Sequence, residues 1–494
     1  MTSAAIMIPS PTSSIANLSR AKITIAEIVR NILAQILTIA STMFLVSQGP
    51  SHNLYCKSLL MSRAPWLCQS TSLYAENARE FPNSFYSAPP MSEIDHLVVG
   101  AGLTGLNVAR TLSDRGCQVT VVDAETLGAG ASGVNGGQVL QGFNTTPAKL
   151  EQMVGLDRAK RLWKNSISAV QTVREDCVSF DLRWHNGGGE LAAKPSHMNS
   201  LHQRAREINE RFGGHFVLFD KDEAQARSGS KRFFGGYVDY GAGHIDPLAY
   251  VHALAQQLKS HSVNFVQHHR VVAIEYKPDE GLFHVVSRCR GSQHIIKTRH
   301  VYVCINAWIA RLIPKLASFV MPVANFMLAT YPLGRDVSSV LDDGACYCDS
   351  NFVLNYFRKN EFGQMIFGGQ VAYDTSRKGP GVHILKRDML RVFPQLRDIG
   401  ISHYWPGLLA ISYHRLPLVG EFAPNGFYAC AYSGHGLALT SHVGDSLALA
   451  ALGERENLDD LVALPRRKFP GGSMLRLPLL LAATSYQRMR DIWC

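Results

Sequence analysis

The chain has 494 residues, 46% hydrophobic and 18% charged, with 41 glycines and a formal net charge of +10. That length buries a large core and suits an α/β enzyme of more than one structural domain, while the basic residues, densest as PRRK at 465–468, are too scattered to form a nucleic-acid face. Ten scattered cysteines, of which Cys346 and Cys348 form a lone C-x-C, exclude a four-ligand zinc site, so reduced cytosolic thiols are expected, with no metal and no structural disulfide.

Residues 1–60 differ from the rest. The apolar run 23–46 carries Glu27, Arg30, Asn31 and Gln35, and its uninterrupted part, 36–46, falls short of the ~20 residues that span a bilayer. A targeting segment, an interfacial helix and sequence read from an early start codon all fit, and the last is favoured. A poorly ordered extension is expected here. Membrane contact depends on this segment alone; the remainder reads as cytoplasmic.

The stretch 94–124 predicts strand, glycine turn, helix and second strand. The apolar run 94–99 suits a central parallel strand. Gly100, Gly102 and Gly105 have G-x-G-x-x-G spacing, for a tight turn, close approach to a pyrophosphate and close helix packing. Leu103 and Thr104 open the helix, whose N-terminus offers N–H groups to phosphates. Asp123, followed by Ala124, ends the second strand where a ribose 2′-OH is held, which favours FAD or NAD over NADP. The loop 128–138, GAGASGVNGGQ, has five glycines and no large side chain. It suits backbone lying against a flat ligand, with Ala131, Ser132, Asn135, Gly136, Gly137 and Gln138 as contacts.

This loop resembles the second half of the FAD fingerprint in the D-amino-acid-oxidase-like flavoenzymes, and most of all in the gamma-glutamylputrescine oxidases. Further along, SLYAENA at 72–78 resembles a short N-terminal segment of the putrescine-pathway oxidases. Residues 147–175 predict one long helical region, 180–193 a strand and turn, and 201–212 a polar helix. His185, though well placed, is read as structural. GGYVDYGAGHIDPLAY at 235–250 resembles the family's G-G-H-[IL]-x-P segment, with Asp246 as cap and Pro247 in the first helical turn. His244 matches that motif, either near the substrate or as a turn residue.

Strands are predicted at 263–276 and 283–287, with Val272 where the family lays a strand residue against adenine. IKTRHVYVCINA at 296–307 resembles the V-V-x-A-x-N-A segment, making Asn306 and Ala307 backbone contacts to FAD. After a strand at 319–333, two strands around a turn at 360–363 resemble the hairpin over the flavin face. There Tyr356 and Arg358 are expected to bind substrate, the arginine holding a carboxylate. YWPGLLAISYHRLPLVG at 404–420 resembles a family run with two departures: Ser412 replaces Thr, and His414 replaces Asp. No cysteine lies in that run, so non-covalent FAD is expected. Ser433, Gly434, His435 and Gly436 resemble the closing FAD turn, whose helix N-terminus serves the flavin C2 carbonyl. LPRRKFPGGSMLRLPLL at 464–480 resembles the gamma-glutamylputrescine oxidase tail.

The resemblance implies an α/β fold: a Rossmann-type FAD-binding domain interleaved with an α+β substrate domain on a mixed or antiparallel sheet. The expected parts are an extension at 1–60, FAD-binding segments at 91–175, 244–318 and 401–456, substrate segments at 176–243 and 319–400, and a tail at 457–494. It implies oxidation of a primary or secondary amine, gamma-glutamylputrescine or a relative. Hydride passes to flavin N5, the imine hydrolyses to aldehyde, and O2 becomes H2O2. His244 and Tyr432 are the candidate bases, unless a dry pocket deprotonates the amine. The alternatives are a flavin dehydrogenase using a quinone or protein acceptor, and a non-enzymatic nucleotide-binding scaffold.

Overall fold

The structure, a computed structural model, describes residues 72–77 and 93–472 except 338, 352, 374–378 and 380. The expected extension at 1–60 and the last part of the tail lie outside the described residues. No helix among the described residues is long and apolar enough to cross a membrane.

A short helix, α1 (Leu73–Asn77), precedes β1 (Glu93–Val99), α2 (Leu103–Asp114) and β2 (Val119–Val122). The glycine-rich loop leads to β3 (Gln138–Val139), α3 (Pro147–Val154), α4 (Leu156–Ser179), β4 (His185–Leu191), α5 (Pro195–Arg211), β5 (Phe216–Phe219), α6 (Lys221–Ser228), β6 (Gly236–His244) and α7 (Pro247–Ser260). Next come β7 (Asn264–Val266), β8 (Arg270–Lys277), β9 (Leu282–Cys289), β10 (Ser292–Val303), β11 (Val320–Pro332), β12 (Cys346–Asp349), β13 (Tyr356–Lys359), β14 (Gln364–Ala372) and α8 (Val382–Val392). Then β15 (Ile401–Ser412), β16 (Leu418–Ala423) and β17 (Gly426–Cys430) lead to α9 (Leu439–Ala451) and α10 (Glu456–Val462).

Three expectations need correction. The single helical region at 147–175 is two helices, because Gly155 at φ +82 breaks the right-handed path between α3 and α4. The strand at 263–276 is two strands, β7 and β8, joined through His268 at φ +61. The polar helix begins earlier than 201, because Pro195 suits its first turn. The cap of α7 is as expected: Asp246 Oδ1 accepts from the N–H of Leu248 and of Ala249, each at 3.0 Å.

Two sheets carry the fold. The first has the order β16-β17-β10-β1-β2-β7, with β9 also on β10 and β8 on β9. Its centre is parallel, β17, β10, β1, β2 and β7 running together, while β16 and the β8–β9 meander are antiparallel. Leu97, Val98 and Val99 of β1 are buried on both faces, as expected of a central parallel strand. The helices α2, α4, α7 and α9 share one large core with one face of this sheet. The second sheet has the order β15-β11-β14-β13-β12-β4-β6-β3, with β5 on β6, and is antiparallel except for β12 against β4. The chain from β2 of the first sheet to β3 at the edge of the second is the glycine-rich loop. A small core of Leu73, Tyr74, Val134, Leu248, Met327, Ala329, Ile366 and Trp405 packs α1, that loop, α7 and the second sheet together.

Candidate active site

The turn after β1 is built around two close approaches. Gly100 has φ +110, and a Cβ there would lie 2.6 Å from the Cys304 carbonyl oxygen. At Gly105 a Cβ would lie 1.9 Å from the Gly100 oxygen, so only glycine lets α2 start over β1. Ser132 Oγ sits beside Gly102 and accepts from Leu103 N–H at 2.9 Å. The N–H groups of Gly102, Thr104 and Gly105 find no protein acceptor among the described residues. The start of α2 is therefore an open set of donors at the positive end of a helix dipole.

Asp123 accepts from Ala101 N–H at 2.7 Å through Oδ2 and from Glu125 N–H at 2.8 Å through Oδ1. Burial pushes its carboxyl above the ordinary range, and those two N–H donors pull it back. Ala124 lies next to it, half-buried. The Asp123 backbone pairs with the far corner of the sheet, His269 N–H donating to Asp123 O at 2.9 Å. Glu125 pairs with Arg270 of β8 at 2.8 Å, and Val272, half-buried, is two residues further along that strand.

The glycine-rich loop is held by its own side chain. Asn135 Nδ2 donates to Ala131 O at 3.1 Å and Ser132 O at 2.8 Å, while its Oδ1 accepts from Gly137 N–H at 2.7 Å. Gln138 Nε2 donates to Tyr347 O at 3.2 Å, and its backbone pairs with His244 at the end of β6. From β13, Tyr356 lays its ring against Gly136 and Gly368, where a Cβ would come within 2.9 and 2.0 Å of it, and its hydroxyl donates to Asn325 Oδ1. Arg358 donates from Nε to Gly136 O at 2.6 Å.

A second turn, between β17 and α9, comes from a distant part of the chain. Asn306 (φ +41), Ala431 (φ +59), Ser433 (φ +58) and Gly434 (φ +88) are all left-handed. Asn306 Oδ1 accepts from Ala431 N–H at 3.0 Å, with Ala307 buried behind it. Asn144 Nδ2 donates to Ser433 O at 2.6 Å, and His435 Nε2–H donates to Gln141 O at 3.0 Å. Ser412 N–H donates to Ser433 Oγ at 3.2 Å. These bonds fix a turn whose Gly434 and Gly436 N–H groups have no protein acceptor among the described residues. Ser412 also donates its hydroxyl to Leu416 O at 2.6 Å, shaping the turn in which His414 packs edge-on to Tyr413.

A family model described as FAD dependent oxidoreductase matches residues 95–450. The chain belongs to this FAD-dependent oxidoreductase family. It is 30% identical to "Probable oxidoreductase OrdL" of Haemophilus influenzae, across 85% of this chain and 98% of that protein. It is 28% identical to "Gamma-glutamylputrescine oxidoreductase" of Escherichia coli K12, again across 85% and 98%. Among solved structures it resembles L-proline dehydrogenase from P. horikoshii (TM-score 0.62, 18% identity, 80% of this chain and 99% of that one) and glycine oxidase from Bacillus cereus (TM-score 0.61, 18% identity, 76% and 99%). The fold is that of these flavoenzymes, and the cofactor is FAD.

The residues fit FAD. Gly100 and Gly105 keep the first turn clear, the open N–H groups of Gly102, Thr104 and Gly105 suit a pyrophosphate, and Asp123 has lone pairs left for ribose hydroxyls. The free N–H groups of Gly434 and Gly436 suit a carbonyl acceptor on the flavin.

Three expected roles do not survive the geometry. His244 is fully buried; its Nε2–H donates to Gly344 O at 2.9 Å, and its Nδ1 faces Arg358 Nη1 at 3.4 Å. Burial, then Arg358 and the stacked His185, hold its imidazole neutral, well below its ordinary value. With both nitrogens engaged it is no base. Tyr432 shares a hydrogen bond with Thr104 Oγ1 at 2.8 Å inside the large core, and burial raises its phenol well above the ordinary value, so it keeps its proton. Arg358 is 3% exposed and spent on protein groups rather than presented to a substrate carboxylate. The sequence reading overlooked Tyr74, Asn325, Trp405 and Asn144. Tyr74 lies inside the SLYAENA segment and Trp405 inside the run at 404–420, so their signals were present; Asn325 and Asn144 are marked by no local pattern.

Proposed function

We propose that this chain oxidises a primary or secondary amine with FAD, taking gamma-glutamylputrescine or a related amine or amino acid and passing electrons to O2. The observation that carries the reading is the near full-length similarity to the E. coli gamma-glutamylputrescine oxidoreductase, 98% of which is covered. Bound FAD supplies the two-electron acceptor for hydride from the substrate α-carbon.

The amine reacts in its neutral form, with a lone pair on nitrogen to drive hydride from the adjoining carbon. The resulting imine takes up water and gives aldehyde with ammonia, or with the smaller amine where the substrate is secondary, and O2 takes up the two electrons and two protons and leaves as H2O2.

The test mixes the purified full chain with gamma-glutamylputrescine without oxygen and follows the visible flavin band. Bleaching, with recovery and stoichiometric peroxide on admitting air, is the expected result. An unbleached band sinks the substrate. A bleached band that air does not restore sinks the oxidase and leaves a dehydrogenase with another acceptor.

A further inference from the structure

We propose that Arg358 and Tyr74 form a latch that holds the glycine-rich loop in the shape FAD requires, making Arg358 a positioning residue and α1 a structural part of the cofactor site. The proposal rests on FAD binding and not on the identity of the amine.

All three guanidinium nitrogens of Arg358 donate to protein groups: Nε to Gly136 O at 2.6 Å, Nη2 to the Tyr74 hydroxyl at 3.0 Å and Nη1 to His244 Nδ1 at 3.4 Å. The group also lies flat against the loop, since a Cβ on Gly137 would come within 2.7 Å of Nη2. The peptide between Gly136 and Gly137 is thereby held at both ends. Its carbonyl is bound by Arg358 and its N–H by Asn135 Oδ1 at 2.7 Å. The next carbonyl, of Gly137, accepts from Ile245 N–H at 2.9 Å.

Tyr74 brings α1 to the same place. It is 2% exposed, its ring lies 5.8 Å from the Arg358 guanidinium carbon, and it meets the Trp405 ring edge-on at 5.5 Å. Trp405 in turn donates from Nε1 to Val134 O at 3.0 Å. The helix thus reaches the loop twice, through Arg358 to Gly136 and through Trp405 to Val134. The family match begins at residue 95, so α1 lies outside the matched residues.

A loop with five glycines among its eleven residues has many backbone states. A cofactor that needs one of them binds more weakly by the fraction of time that state is populated. The latch raises that fraction before FAD arrives.

The test titrates FAD into the full-length apoprotein of wild type, Tyr74→Phe, Arg358→Lys and the double variant. Arg358→Lys keeps the charge and loses the fork, and should raise the FAD dissociation constant about tenfold; Tyr74→Phe should raise it about threefold. The double variant should fall short of the product, because both changes break one contact. At saturating FAD, the KM for the amine should be unchanged in Arg358→Lys. A raised KM with unchanged FAD affinity would return Arg358 to the substrate carboxylate and overturn the latch. So would a lower apoprotein melting temperature with unchanged FAD affinity, which is a purely structural role. A wild type that takes up no FAD would overturn the cofactor assignment as well, whereas tight wild-type binding with unaltered variants overturns the latch alone.

Discussion

At Gly105 the space for a side chain is already occupied by main chain. A Cβ would sit 1.9 Å from the Gly100 oxygen and 3.0 Å from Val98 Cγ1, and neither the turn nor the central strand can give way cheaply. In Gly105→Ala, α2 must retreat from β1, at about 1–3 kcal/mol of stability by analogy with overpacked cores. The retreat also carries the open N–H groups of Thr104 and residue 105 away from the pyrophosphate. The expected outcome is a folded protein that loses FAD on gel filtration; a variant that stays yellow would refute this account of the glycine. The role of Gly105 was legible because both its partners, Gly100 and Val98, lie within a dozen residues. His244 and Tyr432 were not, because what neutralises them comes from afar: Gly344, a hundred residues on, and Thr104, 328 residues back. A motif shows that a histidine is present, not which carbonyl its ring nitrogen has already found.

Three helices behind the parallel sheet are tied by one carboxylate. Asp176 of α4 accepts from Arg110 Nη1 of α2 at 2.8 Å and from the Tyr250 hydroxyl of α7 at 2.7 Å, through the same Oδ2. Arg110 and Asp176 are only 13% and 16% exposed, so this pair is poorly served by water. Removing one partner leaves the other buried and uncompensated, which costs about 3 kcal/mol, whereas replacing both by apolar groups of similar volume is near neutral. Chemical denaturation should show Asp176→Asn destabilised by about that amount, and Arg110→Met with Asp176→Leu recovering most of the loss. A double variant no more stable than the single would mean that packing, not charge, holds the helices. The helices themselves were readable from their apolar spacing, as the burial of Trp163, Val170 and Val173 on α4 shows. The break at Gly155 was not, since a glycine inside a periodic run is compatible with either a tolerated residue or a stop.

Across the whole molecule, the strands flanking the glycine turn were legible, and so was the return of the chain to it at 306 and 433. The pairing order of the second sheet was not, because most of its neighbours are far apart in sequence and a strand's alternation says nothing of its partner. The same long-range burial sets how the protein meets acid. His96, His252 and His442 are each lowered to about 4 by burial first of all, as is His185, and His244 is held well below its ordinary value. In the unfolded chain these rings take a proton near the ordinary value of about 6.5. Between pH 6.5 and 4 the unfolded state therefore binds more protons, so stability is full above this window and falls as pH falls through it, by about 1.4 kcal/mol per pH unit for each proton taken up. Asp349 opposes this in part. Its carboxyl, raised to about 6 by burial against the pull of Asn355 and Asn351, gains its proton first in the folded state. Asp123, Asp239, Asp246 and Asp445 are raised by burial too, so among the described residues eight lowered histidines stand against five raised aspartates, and the melting temperature should drop below about pH 6. His96→Gln, which removes a ring hydrogen-bonded to Tyr302 at 3.1 Å, should flatten that drop by close to one proton. A melting curve insensitive to acid over this window, or equally steep in the variant, would mean that these rings are not held neutral by the fold.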